Sequence, residues 1–235
     1  MPEGVPCGRR GAMLNVGLTG SISCGKSTVA RMLEGKGAFI IDFDRLAHDV
    51  EEPDKPAWRG IVDTFGPDVL REDRTIDRAR LGTLVFADRR KLEKLNEIVH
   101  PAVFEAWRRS VEEIRGVRPD AIVVSDFPLL IELGKQNDYD VILLVYIPPQ
   151  EQIRRLILRN GYSPEEAIQR VNSQMSIEDK IDFADIIVNN AGPREQTQAQ
   201  IDKIWTQLLK KERLQRKSAA SSFQTGTIHK EREVG

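Results

Sequence analysis

A chain of 235 residues with a formal net charge of -1 and 40% hydrophobic residues has the length and apolar content for one α/β domain with a modest insertion, or for two small domains. The near-neutral charge supplies no field for nucleic acid or an acidic membrane, and no apolar run approaches the length of a membrane span. The two cysteines, Cys7 and Cys24, exclude a disulfide scaffold and match no zinc spacing, so a reducing, cytoplasmic setting is the default.

Met1 to Ala12 carries Arg9 and Arg10 without an apolar run behind them, so it is not a secretory signal. Met13 stands directly before the first strand, and residues 1–12 read as an N-terminal extension. Leu14 to Thr19 reads as a short apolar strand. Gly20-Ser21-Ile22-Ser23-Cys24-Gly25-Lys26-Ser27 then fits the phosphate-binding pattern G-x-x-x-x-G-K-[ST] at every fixed position. Ser27 to Lys36 follows as a helix with Val29, Ala30 and Leu33 apolar. Strand, loop and helix together separate a true phosphate loop from a chance match in a Gly/Ser turn. Backbone N–H groups at a helix N-terminus cradle an anion. The nucleotide-binding set is therefore Gly20, Ser21, Ile22, Ser23, Cys24, Gly25, Lys26, Ser27 and Thr28. In such a loop the lysine, here Lys26, reaches the β- and γ-phosphates of ATP, and the hydroxyl of Ser27 holds Mg²⁺.

Gly35-Lys36-Gly37 breaks the helix, and Ala38 to Ile41 reads as a second strand ending in Asp42-Phe43-Asp44. A helical stretch runs from Arg45 to about Arg115, cut by turn residues at 53–56, 66–67 and 71–75. Within it Leu92, Leu95, Ile98, Val99, Val103 and Trp107 recur at helical spacing, and Pro101 either starts a second helix or kinks one long one. Ala121 to Val124 is a buried-type strand ending in Ser125-Asp126. Val141 to Ile147 is the most hydrophobic run in the chain, apolar on both faces as an internal parallel strand is. Pro148-Pro149 opens a helix to about Arg159, on which Arg154 and Arg155 read as solvated. Asn160-Gly161 turns the chain, and Ser163-Pro164-Glu165-Glu166 starts another helix. Asp185 to Val188 is a last short strand, and a helix from Arg194 to about Lys211 follows. The polar stretch 213–235 reads as a disordered tail. Trp58, Trp107 and Trp205 fall at helical positions and read as packing residues.

Strands alternating with helices predict a parallel sheet covered on both faces, with the strand C-termini on the ligand-binding edge. Gly20, Asp42, Asp126 and the residues after Ile147 all fall on that edge. Asp126 ends a run typical of a metal-assisting aspartate in P-loop proteins. Asp42 and Asp44 are either site carboxylates or the N-cap and first turn of a helix.

Along about Met13 to Leu209 the chain resembles the dephospho-CoA kinase family. The resemblance rests on the loop through Thr28, on Ile41-Asp42-Phe43-Asp44 with Ala47, and on His100-Pro101. It continues through Asp126-Phe127-Pro128-Leu129-Leu130-Ile131-Glu132, Arg159-Asn160-Gly161, Arg170 with Gln174, and Ala184-Asp185 leading to Asn189-Asn190. It implies transfer of the γ-phosphoryl group of ATP to the ribose 3′-hydroxyl of dephospho-CoA, the last step of coenzyme A synthesis. Composition and cysteine usage lead us to expect a cytoplasmic protein that engages neither nucleic acid nor membrane, and a monomer or weak homo-oligomer is expected. The implied fold is a P-loop three-layer α/β/α kinase domain over 13–212 with a five-stranded parallel sheet. A helical substrate-binding region spans about 45–118 and a lid about 154–176.

The resemblance assigns Asp44 as the base towards the hydroxyl, with Asp42 as the other candidate, and Asp126 as a Mg²⁺ holder through water. His100, Leu129 and Glu132 join Asp42 and Asp44 on the acceptor side; Arg159 and Arg170 close over the phosphates, and Asn189 lies near adenine. His100 before Pro101 is equally readable as a packed helix residue, and Arg159 as a cation at a helix C-terminus. The loop departs from the family pattern at Ser21 and Ser23, where glycine is common, and at Cys24. Serine at a positive φ is strained. Cys24 beside Lys26 and a helix N-terminus is expected to favour thiolate, against the plainer reading of a small, inert residue. Two other functions fit the loop. One is a nucleoside or nucleotide kinase; the other is a non-catalytic nucleotide switch, although no guanine-reading N-K-x-D segment is present.

Overall fold

The computed structural model describes residues 13–228, with side chains through residue 218. The expected extension at 1–12 and the end of the expected tail, 229–235, lie outside the described residues. The chain divides into two compact units, one holding the chain up to Ile41 and from Ile114 onward, the other Asp42–Glu113.

Five strands, β1 (Leu14–Gly20), β2 (Phe39–Asp42), β3 (Ile122–Asp126), β4 (Val141–Tyr146) and β5 (Ile186–Asn189), form one sheet in the order β2-β3-β1-β4-β5. β1 pairs in parallel with β3 and β4, and β4 with β5. The chain thus has the expected parallel α/β fold. Every residue of β1 is buried, and so is every residue of β4 up to Val145, as strands flanked on both sides must be. Leu18 lies opposite Asp126 and Gly20 opposite Val145, so the P-loop and Asp126 leave the sheet at neighbouring strand ends.

The main core lies on one face of this sheet. Leu14, Val16, Leu18, Leu143 and Val145 meet Val29, Met32 and Leu33 of α1 (Lys26–Glu34) and Ile201, Ile204 and Leu208 of α9 (Arg194–Ile228). The alternating residues Ile142 and Leu144 are buried too, and α8 (Ile177–Ile181) packs against β4. Between these elements lie α6 (Pro149–Asn160) and α7 (Pro164–Asn172). A reciprocal capping box between Ser163 and Glu166 fixes the start of α7, as its sequence implies.

α9 does not end near Lys211 but continues helically to Ile228. Its side chains remain engaged past 211. Glu212 is buried, and the Arg216 guanidinium lies 3.6 Å from Glu212 and 3.8 Å from Asp120. These contacts hold a stretch whose polarity alone reads as unstructured.

The second unit is helical: α2 (Phe43–Val50), α3 (Pro56–Phe65), a 3₁₀ turn at Pro67–Val69, α4 (Arg78–Phe86) and α5 (Arg89–Val117), which begins here. Asp77 caps α4, and Asp42 caps α2 by accepting the N–H groups of Asp44 and Arg45. Phe43 packs edge-on to Phe104 at 5.9 Å and tilted against Trp107 at 6.1 Å. Trp58 is buried and donates its indole N–H to the Arg74 carbonyl. Trp58 and Trp107 are therefore packing residues. Pro101 neither starts nor ends a helix but lies inside the continuous α5. Buried Val99, Val103, Trp107 and Val111 carry that helix through the hydrogen bond that proline removes.

Candidate active site

Gly20 ends β1 and Gly25 caps α1, and each is required by its neighbours. A Cβ on Gly20 would stand 2.6 Å from the Cys24 sulfur and 2.8 Å from the Val145 carbonyl. Gly25 has φ 87°, and a Cβ built on it would run into the Asn190 amide, so a side chain there would be strained and blocked. Ser23 adopts φ 60°, the strained serine conformation the sequence suggests, while Ser21 does not. No side chain caps α1 and no acidic residue lies in its first turn, so its first N–H groups and the positive helix end are left for an anion.

Lys26, the first residue of α1, places its Nζ 3.1 Å from Oδ1 of Asp126 at the end of β3. The P-loop lysine and the strand-end carboxylate thus form one ion pair, both largely shielded from solvent. Ser27 is exposed beside them.

The loop is fastened from behind by three residues. Asn190 donates its side-chain amide to the Cys24 carbonyl at 2.8 Å and accepts from the Thr197 hydroxyl. Arg155 donates to the Asn190 carbonyl at 2.8 Å and to Glu151, which in turn holds Arg154 in two hydrogen bonds. Hydrogen bonds from Arg154 and Arg155 hold the Glu151 carboxyl down at about 2. Gln174 accepts the Ile22 N–H at 3.0 Å. A cavity of about 340 Å³ opens beside the loop, lined by Gly25, Thr28, Arg31, Arg155, Asn190, Gly192 and Arg194. Arg155 is therefore no solvated helix residue, and it is Asn190 rather than Asn189 that forms the cavity wall. Asn189, next to it at the end of β5, accepts the Ala191 N–H. The sequence marks neither role, because both partners are distant along the chain.

The expected lid arginines stand on exposed helical surface. Arg159 bonds Asn160, and Arg170 lies over the Tyr162 ring at 4.3 Å. Neither lines the cavity.

In the turn that follows β3, Phe127 and Leu130 are buried while Leu129 is exposed. Glu132 lies 2.7 Å from Nζ of Lys180, a lysine that sequence patterning does not single out. In the second unit, Asp42 is committed to capping through Oδ1, Asp44 is exposed in the first turn of α2, and His100 lies within α5.

Cys24 behaves oppositely to the thiolate expectation. It is buried (1% exposed), and burial pushes its thiol up, outweighing Lys26 and the Lys26 N–H, which favour the charged form.

The donors in place for a cation are oxygens, a hydroxyl at Ser27 and a carboxylate at Asp126. Among the described residues no cluster of three His, Cys, Asp or Glu side chains forms a metal cage. Two hard oxygen donors beside a phosphate cradle suit Mg²⁺, which takes few protein ligands and completes its shell with water and phosphate. Among the described residues no helix is long and apolar enough to cross a membrane.

A profile of the dephospho-CoA kinase family matches residues 14–196. The chain belongs to the dephospho-CoA kinase family. The dephospho-CoA kinase of Carboxydothermus hydrogenoformans is 46% identical over 186 residues, covering 79% of this chain and 90% of its own. That of Thermobifida fusca is 44% identical over 196 residues, covering 83% and 96%. Among solved structures, the dephospho-CoA kinase from Campylobacter jejuni superposes with a TM-score of 0.66 at 25% identity, covering 84% of this chain and 98% of its own. TT1252 from Thermus thermophilus gives a TM-score of 0.69 at 32% identity, covering 83% and 97%. The family match thus takes in the P-loop, Asp126, the helices α6 and α7, and β5.

Proposed function

We propose that this member of the dephospho-CoA kinase family moves the γ-phosphoryl group of ATP to the ribose 3′-hydroxyl of dephospho-CoA, giving coenzyme A and ADP. The observation that carries the reading is the Lys26–Asp126 pair at the mouth of a P-loop helix with no side-chain cap, in a chain of this family. In the transfer, the bond from the γ-phosphorus to the β,γ-bridging oxygen breaks and a bond to the 3′-oxygen forms. The hydroxyl proton leaves to a base or to water.

Such chemistry is chiefly positioning and charge stabilisation. The N–H groups of the loop from Ile22 to Thr28 hold the phosphates, and Lys26 turns its ammonium to the β- and γ-phosphates. Ser27 and, through water, Asp126 would hold Mg²⁺, which would supply positive charge against that developing on the phosphates. Arg155 and Asn190 keep the loop in shape from behind. Asp44 orients the acceptor hydroxyl and receives its proton as the new bond forms. Asp42, His100, Leu129 and Glu132 serve the acceptor, while Arg159 and Arg170 close as lid residues over the phosphates.

The test is a comparison of acceptors with Mg·ATP: dephospho-CoA against nucleosides and nucleoside monophosphates. Transfer to dephospho-CoA at least a hundredfold above the others is expected. A preference for a nucleoside or its monophosphate would overturn the assignment, and tight ATP binding with no transfer to any acceptor would favour a switch.

A further inference from the structure

Lys180 is completely buried (0% exposed), a rare position for a lysine unless it is paired. Its ammonium lies 2.7 Å from Glu132 Oε1 and donates to the Pro128 carbonyl at 3.4 Å. The same carbonyl accepts the Thr19 hydroxyl at 3.2 Å, and the Phe127 N–H donates to the Leu18 carbonyl. The turn that continues directly from Asp126 is thus held from two sides, by β1 on its way into the P-loop and by Lys180 on α8. Six residues before Lys180, Gln174 accepts the Ile22 N–H of the loop. The stretch 174–180 therefore grips both the phosphate loop and the turn behind Asp126. Electrostatically the groups are neighbours too, since the Cys24 thiol feels Lys26, Asp126 and Lys180 together.

We propose that Lys180 is a positioning residue for the phosphoryl-transfer site. By pairing with Glu132 and the Pro128 carbonyl it fixes the turn after Asp126, and so holds the Asp126 carboxylate where Lys26 and the Mg²⁺ of ATP meet it. The proposal rests on the reading of this loop as an ATP site. A buried ion pair is a weak source of stability, and an apolar pair of similar volume often supports a fold equally well. Misplacing a reacting group by an ångström, by contrast, costs on the order of a hundredfold in rate. A charged pair beside a phosphate loop serves geometry where it adds little to stability.

Two variants separate the roles. Lys180→Met alone strands the Glu132 carboxylate, and its melting temperature falls by about 10 °C. Lys180→Met combined with Glu132→Leu removes both charges. The decisive readouts are the melting temperature and the Mg²⁺ concentration that half-saturates binding of a fluorescent ATP analogue without any acceptor. Since no acceptor is present, a direct contact of Glu132 with it does not enter. The expected double variant melts within a few degrees of the parent yet needs about ten- to a hundredfold more Mg²⁺, as loss of a ligand-orienting partner does. A double variant with the parent's Mg²⁺ dependence overturns the proposal. So does one that melts far below the parent, because the pair is then a packing element. A parent that binds Mg·ATP but makes no coenzyme A contradicts the functional reading alone, and the titration still decides the role of Lys180.

Discussion

Lys26 and Asp126 meet at 3.1 Å, joining the first residue of the P-loop helix to the last residue of the neighbouring strand. Both side chains are largely shielded, so each sets the position of the other. Lys26→Ala removes a fixed cation aimed at the transferring phosphates, and transfer falls by about a hundred- to a thousandfold. Far-UV circular dichroism stays that of the parent, since the helix and sheet do not depend on the pair. Asp126→Asn keeps the shape but not the charge, and shifts the Mg²⁺ dependence of the rate to higher concentration. Parent-like rates for both variants would remove the pair from the mechanism.

Asp42 and Asp44 separate by the same logic. Asp42 caps α2 through two backbone N–H groups, so Asp42→Ala costs about 1 kcal/mol of stability. Asp44 makes no cap and is exposed. Asp44→Asn lowers kcat by roughly a hundred- to ten-thousandfold with little change in KM for ATP, the signature of a lost base. If Asp42→Asn, which keeps a good cap, loses the activity instead, the roles are exchanged.

Glu151 provides a pH test. Its carboxyl is held at about 2, down from 4.5, by hydrogen bonds first from Arg154 and then from Arg155. A carboxylate with a depressed folded value contributes stability above its unfolded value. That contribution is lost as pH falls from about 4.5 through about 2. The carboxyl resonance of Glu151 should titrate in that low range. Glu151→Gln should lose less stability on acidification than the parent, and KM for ATP should rise severalfold as Arg155 loses its anchor. A midpoint near 4.5 would show that the Arg154–Glu151–Arg155 cluster does not form in solution.

Cys24 should be inert. With Cys7 replaced by serine, iodoacetamide should label native Cys24 at least about tenfold more slowly than a free thiol at the same pH, because burial disfavours the thiolate. Unfolding in urea should restore ordinary labelling. Fast native labelling blocked by ATP would revive the thiolate reading.

What the amino-acid sequence discloses of this site is what lies within a short segment. The P-loop is legible because strand, loop and helix run consecutively from Leu14 to Glu34. Asp126 is legible because a buried strand must end at the ligand edge of a parallel sheet. Arg155 is not, since its i−4 carboxylate makes it look solvated while its other partner, Asn190, is 35 residues away. Lys180 looks like any helix-surface lysine until α8 turns it into the sheet. Proximity to Lys26 suggests a reactive Cys24, but desolvation outweighs it, and desolvation depends on packing that no local pattern encodes. The same holds for Pro101 and for the end of α9, where tertiary contacts override local propensity.

The central claim is that the γ-phosphoryl group arrives on the 3′-oxygen of dephospho-CoA. It is tested most directly by incubating the protein with Mg²⁺, ATP carrying a labelled γ-phosphate, and dephospho-CoA or its 3′-deoxy analogue. The account predicts labelled coenzyme A from dephospho-CoA, with the phosphate on the 3′-position by ³¹P NMR, and no labelled product from the 3′-deoxy analogue. Label appearing only in inorganic phosphate, or equal labelling of the 3′-deoxy analogue, would contradict it.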